Sequence, residues 1–79
     1  MRAGVGVGRY NRRMHIMLNG QSTQVADATT IAGLLEHAGL AGRKVAVEVN
    51  QEVVPRSRHA SHALAEGDRV EIIHAIGGG

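Results

Sequence analysis

Cysteine is missing from this 79-residue chain. No disulfide can form within it, and no thiolate is available as a nucleophile or metal ligand. Tryptophan and phenylalanine are also absent, and the one aromatic residue is Tyr10. A stacking platform for single-stranded nucleic acid therefore has nothing to be built from. No apolar run approaches the roughly 20 residues that cross a bilayer. The first residues lack the continuous apolar stretch of a secretory signal, so cytoplasm is the expected location. So short a chain makes one domain with a modest core, too small to enclose a deep catalytic cleft as well. A binding or carrier module is expected rather than a complete enzyme.

The formal net charge of +2 is unevenly spread. Arg2, Arg9, Arg12 and Arg13 all precede Met14. From Met14 onward five cations (Arg43, Lys44, Arg56, Arg58, Arg69) face seven acids (Asp27, Glu36, Glu48, Glu52, Glu66, Asp68, Glu71), and five minus seven is a balance of −2. A body of that sign is a poor binder of nucleic-acid phosphates. Residues 1–13 alternate Gly and Val and then turn basic. Gly4, Gly6 and Gly8 resemble a phosphate-binding loop only in spacing, since no strand precedes them. The segment is expected to be a disordered leader, with Met14 a candidate natural start.

Regular patterning begins at Met14. His15-Ile16-Met17-Leu18 is a short apolar strand ending at Asn19-Gly20. Both central positions of a type I′ hairpin turn need positive φ, which Asn-Gly supplies. Ser22–Val25 is the returning strand. Ile31, Leu34, Leu35 and Ala38 then recur at helical spacing behind Thr30, a residue suited to the N-cap. Gly39 suits a left-handed helix end. Lys44–Val49 alternates, with Val45, Val47 and Val49 on one face. Asn50-Gln51 turns the chain into a short Glu52–Val54 strand that Pro55 ends. Residues 57–64 are polar, with room for one helical turn. Glu66-Gly67-Asp68 is a tight turn, where Asp68 serves the turn geometry. Arg69–Ile76 is the last strand.

These elements predict an α+β fold of the β-grasp (ubiquitin-like) class: a mixed four- to five-stranded sheet packed on one main helix. The domain is expected over 14–76, with Gly77-Gly78-Gly79 a flexible tail. The expected core is Ile16, Leu18, Ile31, Leu34, Leu35, Val45, Val47, Val49, Leu64, Val70 and Ile72. Each such side chain contributes about 1.5–3 kcal/mol on burial, before entropy is subtracted.

The chemistry suggested by the sequence lies in the glycines after Ile76. Without Cβ atoms the tail is thin and free. It reaches roughly 10 Å beyond the fold, enough to enter a narrow channel in a partner enzyme. The group that enters first is the carboxylate of Gly79. A carboxylate resists nucleophiles until its oxygen becomes a better leaving group. Adenylation by ATP achieves this, and a sulfur nucleophile then converts the acyl-adenylate to a thiocarboxylate. The chain itself supplies no general base, and no cofactor is expected to bind it. Catalysis belongs to partners, with ATP used by the partner enzyme.

Other candidates are weaker. His59 and His62 stand at i and i+3, but zinc needs about four ligands and thiolates are missing, so both are expected on the solvated surface and no metal is expected. His74, on the last strand near the tail, is open to a partner contact or a structural place. Arg56 and Arg58 are open to pairing with a partner's acids or to being ordinary surface charge.

The chain resembles the ThiS family, the sulfur carriers of thiamine biosynthesis. The resemblance runs from Met14 to Gly79. It is carried by Met14-His15-Ile16-Met17-Leu18-Asn19-Gly20, the helix Thr30–Leu35, the stretch Val45–Arg56 with its Val-Asn-x-x-Val-Val-Pro-Arg pattern, Leu64–Ile73 with its Gly-Asp turn, and the closing Gly-Gly. It implies a ThiF-type adenylyltransferase that activates the tail and a ThiG-type thiazole synthase that receives the sulfur. By position, Gly79 would be the modified residue, Gly78 its neighbour in the channel with Gly77 behind it, and Ile72 and Ile76 would lie near the docking surface together with His74 and Arg56. Gly77 is one glycine more than the family pattern, and the leader is a further departure from it. A molybdopterin-type or other pathway carrier on the same fold, and a ubiquitin-like interaction domain without chemistry at its end, remain alternatives.

Overall fold

The computed structural model describes residues 12–74. Its elements are β1 (Arg13–Leu18), β2 (Gln21–Ala26), α1 (Ile31–His37), β3 (Val45–Val49), β4 (Glu52–Val54), a 3-10 turn (Arg56–Arg58) and β5 (Arg69–His74). β1 starts one residue before the expected domain boundary, because Arg13 is paired with Ala26 on β2. Residues 1–11 of the expected leader over 1–13, the expected strand end Ile76 and the Gly77-Gly78-Gly79 tail lie outside the described residues.

The sheet has the order β2-β1-β5-β3-β4, so the last strand in sequence is central in space. β5 runs parallel to β1 and antiparallel to β3. This is the expected five-stranded, mixed, β-grasp arrangement. The two sheet hairpins are built on the same backbone device. Asn19 and Gly20 have φ of 50° and 81°, and Asn50 and Gln51 have 52° and 73°. Paired positive φ values match the right-handed twist of the strands they join. Asn-Gly advertises such a turn in sequence, whereas Asn50-Gln51 places a glutamine where glycine is usual.

Helix α1 is closed at its start by several partners. Thr30 Oγ1 accepts from Gly33 N at 3.1 Å. Ile31 N donates to His62 O, and Ala32 N to His59 O. The first N–H groups of a helix have no partner within it, and here the loop after the 3-10 turn supplies them. Gly39, at φ 77°, follows the Ala38 cap.

One face of the sheet packs on α1. Ile16, Ile31, Val47 and Val70 are its most deeply buried side chains. Leu34, Leu35, Val49, Leu64 and Ile72 join them as expected, while Leu18 and Val45 are only partly buried. Met14, Val25 and Val54 complete the core. Val54 lies in a strand too short for alternation to show a face, and its pairing with Val47 turns it inward.

Candidate functional site at the root of the tail

The site is built on the far end of β5. That strand begins at Arg69, opposite Met17 of β1, and ends in the described residues at His74, opposite Val45 of β3. β5 is central in the sheet, so its described end at His74 lies in the middle of that edge. Beyond Val70 the two flanks of β5 differ. On one side β3 stays paired as far as His74. On the other side β1 has already turned at Asn19-Gly20, and among the described residues no strand lies beside residues 71–74. Asn19 fills the first gap: its Oδ1 accepts from Ile72 N at 2.8 Å, one step past the Asn19 N to Val70 O bond. A side-chain amide thus extends the parallel ladder by one rung and holds β5 where it departs.

Strand alternation decides which side chains are presented there. Ile72, expected in the core and also near the docking surface, is 7% exposed and belongs to the core. Its pairing with Val47 puts both on the helix side of the sheet. Ile73, its neighbour, is 47% exposed and faces away from α1. The Ile-Ile pair reads the same in either phase, so the outward residue could be found only from the neighbouring charges: Arg69 and Glu71 must point to water, and Ile73 follows them.

Arg56 and His74 lie near one another. Both line one hollow of about 380 Å³, together with Lys44, Val45, Ala46 and Ile73. The alternation over Lys44–Val49 predicts Lys44 at the start of a strand; it precedes β3 by one residue and is exposed. A second hollow of about 490 Å³ lies beside α1, and Arg56 lines it too, with Glu36, Arg43 and His59. Ile76, Gly77, Gly78 and Gly79 lie outside the described residues.

His59 corrects the sequence reading. It was expected on the solvated surface with His62, but it is 7% exposed, and its Nε2 lies 3.0 Å from Val54 O. Val54 O is a hydrogen-bond acceptor, so the Nε2–H donates to it. The ring therefore ties the loop beneath α1 to the end of β4. Among the described residues no group of three or more histidine, aspartate and glutamate side chains gathers to hold a metal. Asp68 serves its turn as expected: its carboxylate accepts from Ala65 N at 2.8 Å and from Asn50 Nδ2 at 3.0 Å, joining two turns at the opposite end of β5. Among the described residues no helix is long and apolar enough to cross a membrane.

Comparison with known proteins decides what this architecture belongs to. The model of the ThiS family matches residues 9–79. The chain belongs to the ThiS family. The sulfur carrier protein ThiS of Escherichia coli is 35% identical over 66 residues, which are 84% of this chain and all of that one. A crystal structure of a thiamine biosynthesis protein (ThiS) from Geobacter metallireducens superposes with a TM-score of 0.73 at 32% identity, covering 84% of this chain and 100% of that one. A thiazole synthase of Paramagnetospirillum magneticum is 42% identical over 66 residues. The chain spans about a fifth of that protein's length, the matched region being 20% of it. Within the ThiS family, then, the β-grasp body is the shared part, and in some relatives a like segment is part of a larger polypeptide.

Proposed function

We propose that this protein is a sulfur carrier of thiamine biosynthesis, itself no enzyme, whose C-terminal Gly79 carboxylate is adenylated and then thiolated by partners. The observation that carries this reading is the position of β5. β5 is the central strand and the sequence after it closes in Gly77-Gly78-Gly79, so the body fixes the root from which a side-chain-free end begins. Family membership supports the same reading.

The steps follow from carboxylate chemistry. A ThiF-type adenylyltransferase binds the body and receives Gly77-Gly78-Gly79 in a narrow channel. A Gly79 carboxylate oxygen attacks the α-phosphorus of ATP, and pyrophosphate leaves. A sulfide-level nucleophile adds to the acyl carbon, and AMP departs with the original oxygen. The product is a thiocarboxylate, whose sulfur is delivered to a ThiG-type thiazole synthase at the high effective concentration a complex provides. A ThiS-like segment within thiazole synthase chains supports that pairing, since joining in one chain serves proteins that act together.

The test is intact mass. Incubation with ATP, the adenylyltransferase and a sulfur source is expected to add about 16 Da, the difference between a sulfur and an oxygen atom. An unchanged mass with a demonstrably active enzyme sinks the proposal.

A further inference from the structure

The hollow at the root of the tail has a consistent charge. Its lining holds Lys44, Arg56 and His74 and no carboxylate. From Met14 onward acids outnumber cations seven to five, so an acid-free lining with two permanent cations runs against the composition. Three of the seven acids lie near it without lining it: Glu48 and Glu71 pair with each other one outward-face step from Ala46 and Ile73, and Glu36 lines the neighbouring hollow. Asp27, Glu52, Glu66 and Asp68 sit toward the start of β5: Glu52 pairs with Val49, which pairs with Val70, and Asp27 N bonds to Arg12 O at the start of β1. Lys44, Arg56, Ile73 and His74 are all exposed, so none is spent on the core. Ile73 adds an apolar surface beside the cations.

We infer that this hollow is the docking point for an acidic segment of the activating enzyme, with Lys44 and Arg56 receiving its carboxylates and Ile73 packing against its apolar part. The inference rests on the carrier reading, because it is the tail that brings a partner to this end. The occupant follows from charge and place. β5 ends in the described residues at His74, which itself lines the hollow, so an enzyme that takes up the residues after it must bring its own surface toward Lys44 and Arg56. Exposed cations steer such an encounter and set its register more than they add to its final affinity. Arg56 offers a planar fork that grips a carboxylate in two-point fashion, and Lys44 offers a point charge.

The experiment compares binding of the purified chain to its adenylyltransferase without ATP, at low and high salt. The double reversal Lys44→Glu with Arg56→Glu is expected to weaken binding by about tenfold or more at low salt. It should also flatten the salt dependence seen for the wild type. In the complete reaction KM for the carrier should rise while kcat holds. Arg69→Glu, an exposed reversal at the other end of β5, should stay within about twofold of wild type. The neutral pair Lys44→Gln with Arg56→Gln should fall between, and an unchanged thermal midpoint for all variants separates docking from folding. Equal affinity and equal salt dependence in the double reversal overturn the inference and leave the carrier reading standing. Binding that depends on Lys44 and Arg56 without any gain of mass on adding ATP and sulfur overturns the carrier reading instead. An effect of Arg69→Glu as large as that of the double reversal overturns the inference, since net charge would then explain the loss. Saturable binding of ATP to the isolated chain that is lost in the double reversal overturns it too, because the hollow would then be a phosphate site.

Discussion

Replacing Asn19 with alanine should loosen the strand that carries the tail. Two effects add. The Asn19 Oδ1 acceptor is lost, which leaves the half-buried Ile72 N without the partner it holds at 2.8 Å. An unsatisfied buried donor costs about 1–3 kcal/mol. Asn19 also sits at φ 50°, where asparagine is tolerated and alanine is disfavoured by about 1 kcal/mol. The expected loss is about 2–4 kcal/mol. A domain this small shifts by about 4–8 °C per kcal/mol, so the midpoint should fall by on the order of 10 °C or more. Thermal unfolding followed by far-ultraviolet circular dichroism measures it. Two companion variants separate the terms. Asn19→Gly keeps the turn but not the acceptor, and should lose about 1–2 kcal/mol. Asn19→Asp keeps the acceptor and tolerates the turn, and should stay within about 0.5 kcal/mol of wild type. If Asn19→Ala melts within a degree or two of wild type, or Asn19→Asp falls as far as Asn19→Ala, then the side-chain rung does not hold β5 and the reasoning fails.

Three further outcomes are expected. His59→Ala removes a buried ring and the donor to Val54 O, and should cost about 2–3 kcal/mol in chemical denaturation; a change under 0.5 kcal/mol would mean the ring packs loosely. Gln51→Gly relieves a glutamine held at φ 73° and should stabilise by about 0.5–1 kcal/mol, a gain read as a higher denaturation midpoint at unchanged m-value. One alanine added after Gly79 should abolish the gain of mass in the thiolation assay while leaving the thermal midpoint within a degree; full thiolation of that variant would refute the threaded tail.

The sequence by itself determined the elements and the class of fold. Asn19-Gly20 can hardly form anything but a hairpin turn, and Thr30 with the Ile31-Leu34-Leu35 stripe can hardly form anything but a capped amphipathic helix, because backbone sterics and side-chain periodicity act over a few residues. The glycine tail and the charge contrast between leader and body were equally local features. What only the tertiary structure decided was long-range. Ile72 was legible as core from its alternation with Val70, but that Ile73 lies exposed beside Lys44 and Arg56 came only from the pairing of β5 with β3. His59 looked like surface because its neighbours are polar; it is buried because the end of β4 and the start of α1 both need a partner from its loop. Asn19 sits 53 residues from the amide it receives. Lys44 precedes β3 and Arg56 follows β4, and they meet only because those strands pair side by side next to the described end of β5.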